Sequence, residues 1–231
     1  MCGRFAVTTD PARLAVELDA VDETGAMSFR ANYNVAPSTD IAAVVTDDDA
    51  RRIRRMSWGL LVPWMREKPG ARPLINARAE TLTTSPAFRS AAKSRRCLIP
   101  MDGYYEWKPN PDDPKRGRKT PFYFYRPDGA PLLVAGVWAA SPEAPTCAVI
   151  TTDARGEFAA VHHRMPLVLA GGDWDRWLDP GAPAPADLLA GAPDVGPMAM
   201  REVSTLVNSV ANNGPELIET PGPGHQPVGL F

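Results

Sequence analysis

The 231 residues carry 25 Lys and Arg against 27 Asp and Glu, a formal net charge of −2, with 44% apolar and 23% charged residues. That balance is ordinary for a globular chain and excludes a histone-like coat of positive charge, while a local basic groove stays open. No apolar run approaches the ~20 residues of a membrane span, and one sizeable core suffices for this length.

The opening MCGRFAV has no basic segment followed by an apolar stretch, so the expectation is a cytoplasmic protein without a signal peptide. Residues 10–18, DPARLAVEL, predict a helix that Asp10 caps and Pro11 begins. Residues 41–46 and 53–58 predict strands around an acidic turn at Asp47–Asp49. Ser85 and Pro86 predict the start of a second helix over 86–93. Further strands are expected at 97–99, 122–125, 132–138 and 147–151, where apolar and β-branched residues run together. KPNPDDPKRGRKT at 108–120 predicts an exposed loop, 173–178 and 185–190 predict short helices, and 221–231 a flexible tail. With 25 prolines and 18 glycines punctuating short strands, the expected fold is one α+β domain over residues 1–220. Its core is an antiparallel or mixed sheet, or a barrel-like one, with a few short helices.

Three cysteines are odd in number and widely spaced, which argues against a disulfide framework. Cys97 and Cys147 sit in apolar, strand-like settings and read as core thiols. Cys2 differs, because only a methionine precedes it, and methionine before a small residue is normally removed. An N-terminal cysteine has an amine of pKa about 7.7–8.0 beside a thiol. The amine can attack an aldehyde to give an imine, and the thiol can close onto that carbon as a thiazolidine. An abasic site in DNA supplies such an aldehyde when its deoxyribose opens, and a carboxylic acid and an imidazole can move the protons.

The neighbours of Cys2 form an ordered set: MCGRF at 1–5, NYNVAP at 32–37, WGLLVPW at 58–64, INARAET at 75–81, RRCLIPMDGYYEW at 95–107, AGVW at 135–138, ITTDA at 150–154, HHRMP at 162–166 and VNSV at 207–210. From Cys2 to about Ile218 the chain resembles the SRAP family, the SOS-response-associated peptidase proteins that act on abasic sites. The resemblance implies that Cys2 is the crosslinking residue and that Asn76 positions the nucleophile and the sugar. It implies Glu106 as the acid/base carboxylate and His162, two before the arginine of HHRMP, as a helper in ring opening. His163 is expected to be supporting or solvent-facing. Arg4, Arg78 and Arg164 are implied on the DNA backbone, with Asn34, Trp64, Trp107 and Thr151 lining the same groove. The implied partner is single-stranded DNA containing abasic sites, bound by a monomer in the cytoplasm or on the nucleoid.

Blander readings stand beside these. Glu106 can face solvent from an edge strand, Arg78 and Glu80 can form a solvent-facing pair, and Arg51, Arg52, Arg54 and Arg55 read as a solvated strand face. One of Trp58 and Trp64 is expected in the core, while Trp64 can stack on a base. Three histidines without a close cysteine pair imply no metal site, and no phosphate-binding glycine loop implies a cofactor. The alternatives are an N-terminal-nucleophile amidohydrolase of the glutaminase type, a thiol peptidase using Cys2, and a non-covalent single-strand binding module.

Overall fold

The computed structural model describes residues 2–25, 29–66, 70–110, 119–191 and 196–222. Thirteen strands and five short helices lie within them, in the order β1 (Phe5–Val7), α1 (Pro11–Glu17), β2 (Ala20–Asp22), β3 (Asn32–Val35), β4 (Asp40–Asp47), β5 (Ala50–Trp58), α2 (Pro63–Arg66), β6 (Asn76–Arg78), α3 (Arg89–Ser94), β7 (Arg96–Met101), β8 (Gly103–Pro109), β9 (Lys119–Tyr125), β10 (Leu132–Ala139), β11 (Thr146–Asp153), β12 (Arg164–Pro166), α4 (Trp174–Leu178), α5 (Ala186–Ala190) and β13 (Ala199–Glu202). No helix among these residues is long and apolar enough to cross a membrane.

The strands form two sheets. The smaller runs β13-β9-β8-β1-β3 and the larger β12-β11-β10-β7-β4-β5-β2, with β6 attached to β11. A parallel contact of β11 with β5, Thr146 opposite Ser57 and Cys147 opposite Trp58, joins the larger sheet into a ring at one end. The α+β expectation and its barrel-like variant therefore meet in one object.

Strict alternation along the strands explains the layering, since successive side chains face opposite ways. Cys97, Ile99 and Met101 of β7 and Leu132 and Val134 of β10 turn to one face, which packs on Phe5, Tyr104 and Phe124 of the smaller sheet. Leu98, Leu133, Ala135 and Val137 turn to the other, where Leu14, Ala91, Ala92, Trp177 and Leu188 of the helices cover them. The outer face of the smaller sheet buries Tyr105 and Tyr123 under Val203, Val207 and Leu217.

Asp10 accepts from the Ala12 N–H, with Pro11 opening α1 as expected. Asp48 and Asp49 take positive φ in the turn between β4 and β5, a conformation aspartate tolerates better than most residues. Helix α3 starts at Arg89, later than expected. Ser85 serves a preceding turn, its carbonyl accepting from Phe88 and Arg89. The expected loop over 108–120 is shorter at both ends, because Lys108 and Pro109 pair with Thr120 and Lys119 across β8 and β9. Residues 111–118 of that loop, residues 223–231 of the expected tail and Met1 lie outside the described residues.

Cys97 and Cys147 are fully buried free thiols, as their sequence context predicts. Trp58 is buried and Trp64 is 47% exposed. The arginines of β5 are held in ion pairs: Arg52 and Arg54 with Glu23, Arg54 also with Asp47 at 2.7 Å, Arg51 with Asp175 at 2.6 Å and Arg55 with Asp40 at 3.4 Å.

Candidate active site

Two backbone registers bring the N-terminal segment to the edge of β8. Phe5 pairs with Tyr104, and the Arg4 carbonyl accepts from the Tyr105 N–H at 3.0 Å. Cys2, just ahead of β1, is thereby packed in the layer between the sheets and is 0% exposed. Its carbonyl accepts a 2.8 Å hydrogen bond from Asn76 Nδ2. Asn76 is placed by β6, which runs parallel to β11 with Asn76 opposite Val149. Asn76 Oδ1 is buried and finds no hydrogen-bond partner among the described residues.

Tyr104 and Glu106 are two apart on β8 and so share a face. Glu106 is 3% exposed, not on a solvent face, and its burial raises the carboxyl above the usual range. His162 follows the 3-10 turn Gly156–Ala160 and precedes β12. Its Nδ1 lies 3.8 Å from Glu106 Oε1 and sits between the Arg164 N–H at 3.0 Å and the Arg164 carbonyl oxygen at 3.1 Å. Either tautomer of the neutral imidazole finds a backbone partner there, Nδ1 accepting from the N–H or donating to the carbonyl. Partial burial lowers the His162 pKa and so favours that neutral form. The His163 ring stacks on it, centroids 4.4 Å apart.

Burial, then the charge of Glu106, pushes the Cys2 thiol well above its usual range. That burial favours the neutral thiol over the thiolate. Chemistry that begins at this residue therefore suits an amine acting first and a sulfur acting second, once a base can take its proton. The Tyr104 hydroxyl is also buried, with no hydrogen-bond partner among the described residues.

The other residues singled out by sequence fall into two groups. Arg78 and Trp64 are exposed, and Trp107 is half-buried with Nε1 donating to Asn208 Oδ1 at 2.7 Å. Asn34, Arg4, Thr151 and Arg164 are engaged inside the protein. Asn34 Oδ1 accepts from Arg4 at 2.7 Å, and its Nδ2 reaches the carbonyls of Val207, Ser209 and Asn212. Thr151 is buried, its hydroxyl 3.4 Å from the Ala77 carbonyl. Arg164 binds Glu80 through both carboxylate oxygens, at 2.8 and 2.9 Å, and Asp153 at 2.5 Å. Glu80, read from sequence as a solvent-facing partner of Arg78, is tied to Arg164 and held below the usual carboxylate range by it. The separation of 84 residues hides that pair from any local pattern. Among the described residues no group of three His, Cys, Asp or Glu side chains is placed to hold a metal ion.

Comparison with known proteins gives a consistent set. The family described as SOS response associated peptidase (SRAP) matches residues 1–210. The abasic site processing protein YoqW of Bacillus subtilis is 35% identical over 227 residues, which cover 95% of this chain and all of that one. The abasic site processing protein YedK of Escherichia coli is 32% identical, with 95% and 99% covered. The protein HMCES of Gallus gallus, named in the same way, is 26% identical over 94% of this chain and 77% of its own. A solved structure from Bacteroides thetaiotaomicron has a TM-score of 0.80 at 22% identity, covering 95% of this chain and 100% of that one, and bears on the fold alone. A phage-related protein from Bordetella bronchiseptica has a TM-score of 0.69 at 29% identity, over 87% and 94% of the two chains.

Proposed function

The chain belongs to the SOS response associated peptidase family, and we propose that it processes abasic sites in single-stranded DNA by covalent capture at Cys2. The relatives named as abasic site processing proteins support the substrate. The observation that carries the mechanism is the Asn76 amide on the Cys2 carbonyl, 2.8 Å away, in a centre that also holds Glu106 and His162.

Removal of Met1, by the protein itself or by another activity, frees the Cys2 amine. That amine adds to the aldehyde carbon of the ring-opened deoxyribose, and the carbinolamine loses one water to become an imine. The Cys2 sulfur then adds to the same carbon, and the thiol proton ends on the nitrogen. The balance is one aldehyde and one aminothiol to one thiazolidine and one water. Glu106, whose buried carboxyl holds its proton to higher pH than a free one, donates to the departing hydroxyl and then takes the thiol proton. His162, fixed at Nδ1 by the Arg164 backbone and 3.8 Å from Glu106, is the second group able to carry a proton. At the imine stage a β-elimination can break the strand, so some lyase activity accompanies capture. A single strand suits the reaction because stacking in a duplex would shield the sugar.

The test is a denaturing gel of the purified protein with a uracil-containing single strand after uracil removal, beside Cys2→Ala. A heat-resistant retarded band that requires Cys2 is expected. A Cys2→Ala protein that crosslinks as well as wild type refutes the mechanism. Absence of a band with Met1 shown by mass spectrometry to be gone, together with ammonia release from glutamine, favours the amidohydrolase alternative.

A further inference from the structure

Two tyrosines stand side by side on β8, and the fold treats their hydroxyls differently. Tyr105 is buried on the outer face, where its hydroxyl donates to the Tyr33 carbonyl at 2.7 Å. Tyr104 is 1% exposed on the inner face, and its hydroxyl has no hydrogen-bond partner among the described residues. Phenylalanine would fill the same space without stranding a polar atom, so packing does not explain the oxygen. The ring itself is held fast. It stacks on Phe124, centroids 4.8 Å apart at 8°, and Phe124 meets Phe158 edge-on at 5.4 Å. Phe158 lies on the 3-10 turn Gly156–Ala160, and its carbonyl accepts from the His162 N–H at 3.2 Å.

Beside that hydroxyl lies the N-terminal end of the chain. Phe5 pairs with Tyr104, so the first residues run along the edge of β8 next to it. The Arg4 carbonyl accepts from the Tyr105 N–H at 3.0 Å and also faces the Cys2 thiol at 4.0 Å. The sulfur enters this long contact as a donor, which leaves its lone pairs to accept. Cys2, Tyr104 and Phe124 share one buried cluster, and Glu106 follows two residues after Tyr104 on the same face. Burial, then the charges of Cys2 and Glu106, raise the Tyr104 hydroxyl well above its usual range. It therefore keeps its proton and serves as a donor, not a base.

We propose that the Tyr104 hydroxyl is a catalytic hydrogen-bond donor to the Cys2 sulfur while the thiazolidine closes. The inference rests on the covalent-capture reading. When Glu106 takes the thiol proton, negative charge grows on a sulfur that burial disfavours as an anion. A neutral O–H held by ring stacking meets that charge without reorganising. The sulfur electron pair forms the carbon–sulfur bond, and the imine π pair moves to nitrogen, which receives the thiol proton through Glu106. The tyrosine proton stays on its own oxygen throughout. In the finished ring the sulfur is neutral again and accepts more weakly, so the help falls on the closing step.

The experiment compares wild type, Tyr104→Phe and Tyr105→Phe in the full chain with Met1 removed. Each is mixed with a uracil-containing single strand after uracil removal. Borohydride-trapped imine, heat-resistant adduct and cleaved strand are followed over time on denaturing gels. Tyr104→Phe is expected to melt at the wild-type temperature or above it, having lost an unpaired hydroxyl. It should form the imine at the wild-type rate and close it to the stable adduct about tenfold more slowly, the share of one hydrogen bond to a developing charge. The longer-lived imine should shift the products from adduct toward cleaved strand. Tyr105→Phe, which loses the bond to the Tyr33 carbonyl, should melt lower and keep the wild-type ratio of adduct to cleavage. A Tyr104→Phe protein with the wild-type closing rate and product ratio overturns the proposal. So does one that melts lower and slows both steps equally, the mark of a packing defect. If wild type leaves abasic DNA unmodified, the capture reading fails. Thiazolidine formation at Cys2 with glycolaldehyde then decides the hydroxyl alone: slower closure in Tyr104→Phe upholds its role, and equal rates overturn it.

Discussion

Replacing Asn34 by alanine removes the fastening between the N-terminal strand and the segment that covers the smaller sheet. Asn34 is 4% exposed. Its Nδ2 lies 3.2, 2.9 and 3.0 Å from the carbonyls of Val207, Ser209 and Asn212, and its Oδ1 accepts from Arg4 at 2.7 Å. Two N–H groups serve three carbonyls, so the donor side amounts to about two full bonds, each worth ~1 kcal/mol net. The bond from the Arg4 guanidinium is charge-assisted and worth ~1.5–3 kcal/mol, reduced here because Arg4 also donates to the Val207 carbonyl at 2.9 Å. The expected loss is about 3 kcal/mol, read as a lower urea midpoint with an unchanged m-value. Hydrogen exchange should rise first at residues 205–213. A loss below about 1 kcal/mol, with exchange there unchanged but DNA affinity reduced, would refute the argument and return Asn34 to the DNA-lining role the family resemblance suggested.

Two further outcomes follow from burial. Arg96, 2% exposed, donates to the carbonyls of Ala92, Lys93, Trp177, Asp179 and Ala182. Arg96→Met is expected to cost about 3–5 kcal/mol by thermal or urea unfolding, because several carbonyls are left unpaired. An unchanged midpoint would mean that these carbonyls find water. On the alkaline side, burial pushes the Cys147 thiol up to about 12 and raises Cys97 as well. Their folded pKa values exceed the unfolded ones, so this contribution to stability is complete below about pH 8.5. It is lost as pH rises toward 12. The melting temperature should fall across that window, with both thiols reacting with a disulfide probe only on unfolding; a flat profile from pH 8 to 11 would contradict it.

Elements with strong local signals were legible in the sequence. The Asp10–Pro11 start of α1, the hairpin of β4 and β5, and the apolar runs of β7, β10 and β11 each state their own structure. The short strands did not, because residues such as Asn76–Arg78 become a strand only by pairing with β11. The site divides in the same way. Cys2, Asn76, Glu106 and His162 are named from motifs, and the Asn76 bond to the Cys2 carbonyl and the 3.8 Å approach of His162 to Glu106 are contacts no spacing could supply. Nothing local marked Arg96 as a buried hub, since its carbonyl partners beyond α3 lie 81 or more residues away. The solvent-facing pair of Arg78 and Glu80, one alternative in the sequence, leaves out the cation Glu80 binds, Arg164, which lies 84 residues on.

The held N-terminal segment has a consequence for the order of events during synthesis. Cys2 precedes its supports in the chain: the Asn76 that grips it is 74 residues on, and Arg4 beside it is anchored to Val207, 203 residues on. A ribosome releases Cys2 first and the groups that surround it in the fold much later. A nascent chain, even with its first residue already trimmed, carries an ordinary exposed cysteine with no acid, no oriented imidazole and no amide holding its carbonyl. The docked position of Cys2 is thus a property of the finished molecule, and an interrupted translation product carries the residue without its surroundings.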